Sequence, residues 1–176
     1  QLLIWMEKRF IKIIKVYSRK NNQNIKMKRA VYLIISFLFF ISCSTKTDST
    51  FEPETEADII QYIEDNNLNA TRSNSGLYYV INNEGTGARP TSTSNVTVDY
   101  KGYFLDGVVF DESSSSGISF GLNQVIQGWT EGITYFKEGG DGILLIPYNL
   151  GYGESGRGSI PGGSVLIFDI RLLSVN

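Results

Sequence analysis

The sequence predicts an α+β fold: mostly antiparallel strands with one short helix among them, preceded by an N-terminal helix. Three observations carry this. From Gly76 onward, apolar residues recur with a period of two. One stretch, Val125–Phe136, breaks that rhythm with apolar residues at helical spacing. Asp106-Gly107 sits between two apolar runs, a hairpin signal that makes its flanking strands antiparallel.

The elements follow in chain order. A helix is expected to open at Thr55 as N-cap, with Glu56 and Asp58 in its first turn, where acidic groups suit the helix dipole. Ile59, Tyr62 and Ile63 then fall on one face, and Asp65-Asn66-Asn67 should end it. Its expected role is to pack against the main domain. Leu77–Ile81 reads as the first long strand. Val96, Val98 and Tyr100 alternate with Thr97, Asp99 and Lys101, a half-buried strand. Tyr103–Leu105 and Val108–Phe110 flank the hairpin. Trp129, Ile133 and Phe136 recur at i, i+4, i+7 and predict the short helix despite Gly128 and Gly132. Ile143–Ile146 and Val165–Leu173 complete the strands.

Charge divides the chain sharply. Residues 1–29 hold nine Lys/Arg against Glu7 alone, a net +8. From Ser44 onward seven basic residues face seventeen acidic ones, a net −10. The folded part is therefore acidic, which argues against a nucleic-acid partner. The boundary lies at Met27-Lys28-Arg29, followed by the apolar run Ala30–Ile41, then Ser42-Cys43. A basic start, a twelve-residue apolar core and a small residue describe a secretory signal, too short to span a bilayer as a helix. Cys43 placed there resembles the bacterial lipobox, with Phe40 departing from the usual Leu. The resemblance implies lipidation of Cys43; the plainer alternative is an ordinary signal with an incidental Cys. Residues 1–26 are read as an upstream extension before a start at Met27, the alternative being a basic membrane-surface helix. The expected organisation is thus extension 1–26, signal 27–42, tether 43–54, helix and linker 55–75, and main domain 76–176.

Composition excludes several chemistries. There is no His, so no Ser–His or Cys–His couple and no HExxH zinc site. A single Cys rules out an internal disulfide and a Cys-based zinc cluster. Gly151-Tyr-Gly-Glu-Ser-Gly156 matches the dinucleotide GxGxxG pattern literally, yet Arg157-Gly-Ser-Ile-Pro-Gly-Gly163 follows and cannot be the helix that such a site requires. Asp111-Glu112 and the Glu52, Glu54, Glu56 run lack metal-ligand spacing. No metal and no cofactor are expected.

What remains is a set of aromatic and aliphatic residues beside turns. Singly, each is ordinary core. In their surroundings they are more specific, because Val96–Tyr103, Asp106–Ser113, Gln124–Gly132, Ile146-Pro147, Gly151-Tyr-Gly153, Ile160-Pro161 and Leu166–Asp169 together resemble the FKBP-type peptidyl-prolyl isomerases over about Val96 to Leu173. The resemblance implies an antiparallel sheet curled around a short helix. It also implies site residues: Tyr100, Phe110, Asp111, Trp129, Tyr152 and Phe168 in catalytic positions, with Val125, Ile126, Ile160 and Ile118 contacting substrate. Trp129 would floor the pocket, Tyr152 would offer a hydroxyl and Ile126 its N–H. Ile118 and Ser159 depart from the family pattern.

The activity so implied is prolyl isomerisation of exported proteins in the bacterial cell envelope, on the periplasmic face or the outer membrane. The partners would be proline-containing polypeptides, macrolide proline mimics, and a membrane reached through Cys43. The competing class is a binding module that captures proline segments without turnover.

Overall fold

The computed structural model describes residues 52–176. The expectations placed on 1–26, the signal 27–42, Cys43 and most of the tether lie outside the described residues. Helix α1 spans Glu56–Asp65, and α2 spans Gln127–Gly132. The strands are β1 Thr71–Arg72, β2 Tyr78–Asn83, β3 Asn95–Tyr103, β4 Val109–Glu112, β5 Ile118–Gly121, β6 Asp141–Ile146 and β7 Leu166–Val175. Among the described residues they form one antiparallel sheet in the order β1-β2-β6-β7-β3-β4. Strand β3 shares its second edge between two partners: β5 pairs with Asn95–Val98 and β4 with Lys101–Tyr103.

The sheet is apolar on both faces at its centre. Leu144 and Ile146 of β6, with Leu166, Phe168, Ile170 and Leu172 of β7, join Trp129, Ile133 and Phe136 in the main core. Leu145 and Ile167, the alternate residues, face the other way and meet Ile59, Tyr78 and Val165. Because side chains alternate across a strand, burial on both faces turns β6 and the start of β7 into continuous apolar runs. Helix α1 covers this second face with Ile59, Tyr62 and Ile63, as its spacing predicted. It opens on Thr55, whose N–H donates to Asp58 Oδ2 at 2.6 Å. Glu56 ties it down, accepting from Arg72 Nε at 2.6 Å and from the Tyr78 hydroxyl at 2.7 Å.

Two sequence expectations are corrected. Asn95–Tyr103 form one strand, with Tyr103 at its end and Phe104 in the turn, so Tyr103–Leu105 is not a strand of its own. The turn itself is as expected: Gly107 N–H donates to Phe104 O at 2.9 Å, and Gly107 takes a φ of +84°. The helix expected over 125–136 is α-helical only at Gln127–Gly132 and tightens to a 3₁₀ turn at Ile133–Tyr135. Its glycines explain this. A Cβ at Gly128 would lie 2.5 Å from Ile146 Cγ2, and one at Gly132 2.7 Å from Leu144 Cδ1. Close seating on β6 thus requires two poor helix formers in six residues. Strands β1 and β5 had no counterpart in the sequence reading, being too short to show a period.

Candidate functional site

Three segments converge on one side of the sheet. The first is the β3–β4–β5 corner. Tyr100 and Gly102 point inward from β3, and β4 brings Phe110 across from them. A Cβ at Gly102 would lie 2.7 Å from both Phe110 Cε2 and Phe168 Cε1, so the glycine leaves room for two rings. The second segment is the entry to α2. Val125 and Ile126 are extended, and Ile126 O accepts the N–H groups of Trp129 and Thr130, each at 3.0 Å. This turn sets Trp129 one helical step behind Ile126. Thr130 Oγ1 donates to Leu122 O at 2.5 Å and fixes the approach.

The third segment is the loop 151–163. It folds back on itself: Gly163 N–H donates to Gly153 O at 2.8 Å, and Arg157 and Ile160 exchange backbone hydrogen bonds at 2.9 and 3.0 Å. Gly156 at φ +67° passes so close to the Ile160 carbonyl and the Gly162 amide that no side chain fits. Its turns confirm that the GxGxxG match opens no helix.

Together these segments enclose a cavity of about 480 Å³ lined by Tyr100, Phe110, Asp111, Ile118, Phe120, Gln124, Val125, Ile126, Trp129, Tyr152, Arg157, Ile160 and Phe168. All ten cavity positions proposed from the sequence lie in this one wall. Ser159 does not; it is exposed on the turn between Arg157 and Ile160. Ile118 lines the cavity but is 50% exposed, so that lip is open. Sequence reading missed Phe120, Gln124 and Arg157. Phe120 shares the cavity side of β5 with Ile118, a relation set by the pairing of β5 with β3.

The floor is an aromatic cluster. Trp129 is 6% exposed. It meets Tyr100 edge-on at 4.9 Å and 81°, and Phe168 at 5.0 Å and 78°. Phe120 lies 5.2 Å from Trp129, and Phe110 meets Phe168 edge-on at 5.5 Å. Edge-to-face pairs of this kind each add about 0.5–1.5 kcal/mol beyond burial, which holds the rings rigid around open space. The Trp129 indole N–H is buried and finds no acceptor among the described residues.

Polar groups are few and placed. The Tyr100 hydroxyl donates to Asp111 Oδ2 at 2.7 Å. Burial, and then that hydrogen bond, push the Tyr100 phenol well above its ordinary value, so it stays a neutral donor. The Ile126 N–H donates to no backbone acceptor among the described residues. Arg157 holds its guanidinium 5.8 Å from the Tyr152 ring centre. No cluster of three His, Cys, Asp or Glu side chains able to hold a metal occurs among the described residues. Such a site can bind, orient and desolvate a compact apolar ring carrying flanking carbonyls.

Comparisons with known proteins agree with this geometry. A family model described as FKBP-type peptidyl-prolyl cis-trans isomerase matches residues 87–173. The FKBP-type peptidyl-prolyl cis-trans isomerase FkpA of Aeromonas hydrophila is 47% identical over 103 residues, covering 57% of this chain and 38% of that protein. The chain thus spans well under half the length of this curated relative. The crystal structure of FkpA from Escherichia coli superposes with a TM-score of 0.65 at 29% identity, covering 97% of this chain and 82% of that one. The crystal structure of AtFKBP13 gives a TM-score of 0.56 at 31% identity over 61% of this chain and 98% of that one. With its curled antiparallel sheet and short helix, the chain belongs to the FKBP-type peptidyl-prolyl cis-trans isomerase family.

Proposed function

We propose that this protein catalyses cis-trans isomerisation of X–Pro bonds in polypeptide clients, using the aromatic cavity floored by Trp129. The observation that carries this reading is the combination in one wall of a rigid aromatic floor with a few placed donors. Rotation about an X–Pro bond must break amide resonance against a barrier of roughly 18–20 kcal/mol, and uncatalysed exchange takes tens to hundreds of seconds. No bond to an atom is made or cut, so no nucleophile, base or metal is called for.

In the twisted transition state the carbonyl no longer conjugates with the ring nitrogen, and the amide is less polar. A cavity of aromatic walls therefore stabilises the twisted form relative to the solvated planar one. Trp129 would lie under the pyrrolidine ring, with Phe168, Phe110 and Phe120 beside it. The Ile126 N–H and the Tyr152 hydroxyl would donate to carbonyls flanking the proline and hold the twist. Asp111 would orient Tyr100 and shape the local field without transferring a proton.

A protease-coupled proline-peptide assay on the purified protein tests this reading, and cis-to-trans conversion should exceed the spontaneous rate. No acceleration, with peptide binding retained, would replace the enzyme by a proline-segment binding module; the open lip at Ile118 is the feature that favours that second reading. A macrolide proline mimic should shift the Trp129 emission in either case.

Cell-envelope placement rests on the sequence of residues 27–43. We infer export and a lipid anchor at Cys43, which would set the domain on a tether among exported clients. Mass spectrometry of the mature N-terminus should find a diacylglyceryl-modified Cys43; an unmodified N-terminus elsewhere would remove the anchor.

A further inference from the structure

We infer that Arg157 makes this cavity selective for clients with a carboxylate side chain next to the proline. The inference rests on the isomerase reading above and names the substrate class that the same site prefers.

The physical case begins with isolation. Among the described residues, Arg72, Arg89, Lys137 and Arg171 are each paired with a carboxylate, at 2.6, 2.8, 2.9 and 2.7 Å respectively, and Lys101, outside these pairs, is not among the residues that line the cavity. Arg157 takes part in none of these pairs, and it is the one cation in the cavity wall. Its position is built. The backbone bridge to Ile160 and the tight passage at Gly156 fix the turn that carries it. The Tyr152 ring at 5.8 Å gives the guanidinium a surface to lie along, and neither contact neutralises it. The group is therefore a held, uncompensated charge beside the tyrosine that would bind a client carbonyl.

Two fields oppose one another here. The described residues 52–176 carry six basic and sixteen acidic side chains, a net −10, which repels anionic clients at long range. That field is screened beyond about 8 Å at physiological ionic strength, whereas a contact pair at the cavity edge is screened much less. Asp111 in the same wall also opposes an acidic client, but its Oδ2 accepts the Tyr100 hydroxyl and it stands on the β4 side of the cavity. A client carboxylate can approach Arg157 from the loop side, so the local attraction decides the preference once the peptide is seated.

The test compares peptides that differ only in charge. Isomerisation is followed by exchange NMR for Ala-Glu-Pro-Phe against Ala-Gln-Pro-Phe, and for Ala-Pro-Glu-Phe against Ala-Pro-Gln-Phe, at physiological ionic strength. The Glu member should be favoured in kcat/KM by roughly two- to fivefold in at least one pair, the scale of one partly exposed ion pair. Arg157→Gln should bring that ratio to about one, Arg157→Glu should invert it, and Arg157→Lys should keep most of it. Wild-type ratios of one at both positions, or a preference that survives Arg157→Gln, would overturn the inference. If no peptide is turned over at all, the isomerase reading fails instead. The same ratios, read as dissociation constants by calorimetry, then decide the charge preference.

Discussion

The Tyr100 hydroxyl donates to Asp111 Oδ2 at 2.7 Å, a side-chain link between β3 and β4 inside the cavity wall. The ladder already pairs Gly102 with Asp111, so the link adds orientation rather than connectivity. Tyr100→Phe and Asp111→Ala should each lower kcat/KM by about tenfold, the scale of one hydrogen bond to a charged group. The double variant should fall short of the product of the two losses, because each single change already breaks the same bond. Protease-coupled kinetics on the four proteins checks this. Wild-type rates in both single variants would remove the pair from the site.

Gly102 sits between the two rings that a side chain there would strike, Phe110 and Phe168, each 2.7 Å from where a Cβ would lie. Gly102→Ala should therefore destabilise the fold by about 1–3 kcal/mol through overpacking. It should also push Phe110 or Phe168 into the cavity and lower activity by more than the stability loss explains. Urea unfolding alongside peptide kinetics separates the two effects. An alanine variant with unchanged midpoint and rate would show that the rings yield freely.

Much of this was legible in the sequence, for identifiable reasons. The inward positions of β3 announce themselves by alternation, and Trp129, Ile133 and Phe136 by helical spacing, because each presents one face to the main core. Gly102 misled, since a glycine within a strand reads as a break when it marks a close approach of side chains from elsewhere. Gly128 and Gly132 lie within the helix that the spacing predicted despite them, and close contact with β6 accounts for their presence there. Strand β5, Ile-Ser-Phe-Gly, is four residues long and is defined by its partner β3 rather than by its own pattern. Arg157 carried no signal: an exposed cation on a glycine-rich loop is ordinary until the loop is seen to fold against the cavity.

Several tyrosines should resist ionisation. Tyr78, Tyr100 and Tyr135 are raised chiefly by burial and next by hydrogen bonds to Glu56, Asp111 and Glu131; Tyr135 is pushed up to about 12. Tyr103 is raised likewise, chiefly by burial, beside Tyr62 and Asp169. A folded value above the unfolded one, about 10 for a free phenol, means stability fully present below pH ~10 and lost as pH rises through the folded values. Ultraviolet titration should therefore show fewer phenolates at pH ~11 in the native protein than in urea. Tyr135→Phe should delete the step near 12. Coincident native and unfolded titrations would contradict the burial and hydrogen bonding of these phenols.

Glu54 pins the segment ahead of α1 to the segment that follows the cavity loop. Its N–H donates to Gly163 O at 2.9 Å, and its Oε2 accepts the Val165 N–H at 2.5 Å. Burial raises its carboxyl above the ordinary range, the Val165 hydrogen bond works against that shift, and Asp58 and Asp106 add to it. The folded state thus holds the proton more tightly than the unfolded one. The stability linked to this group is complete at pH below the ordinary glutamate value, near 4.3, and declines as pH rises through the folded value. Glu54→Gln keeps an acceptor for Val165 without the charge, so it should match or exceed wild-type stability at pH 7. That advantage should shrink on acidification. Glu54→Ala leaves the Val165 N–H without its partner and should cost about 1–3 kcal/mol at either pH. Urea midpoints of the three proteins at pH 7 and pH 4 decide it. A Gln variant weaker than wild type at pH 7 would mean that the charge-assisted bond outweighs its desolvation.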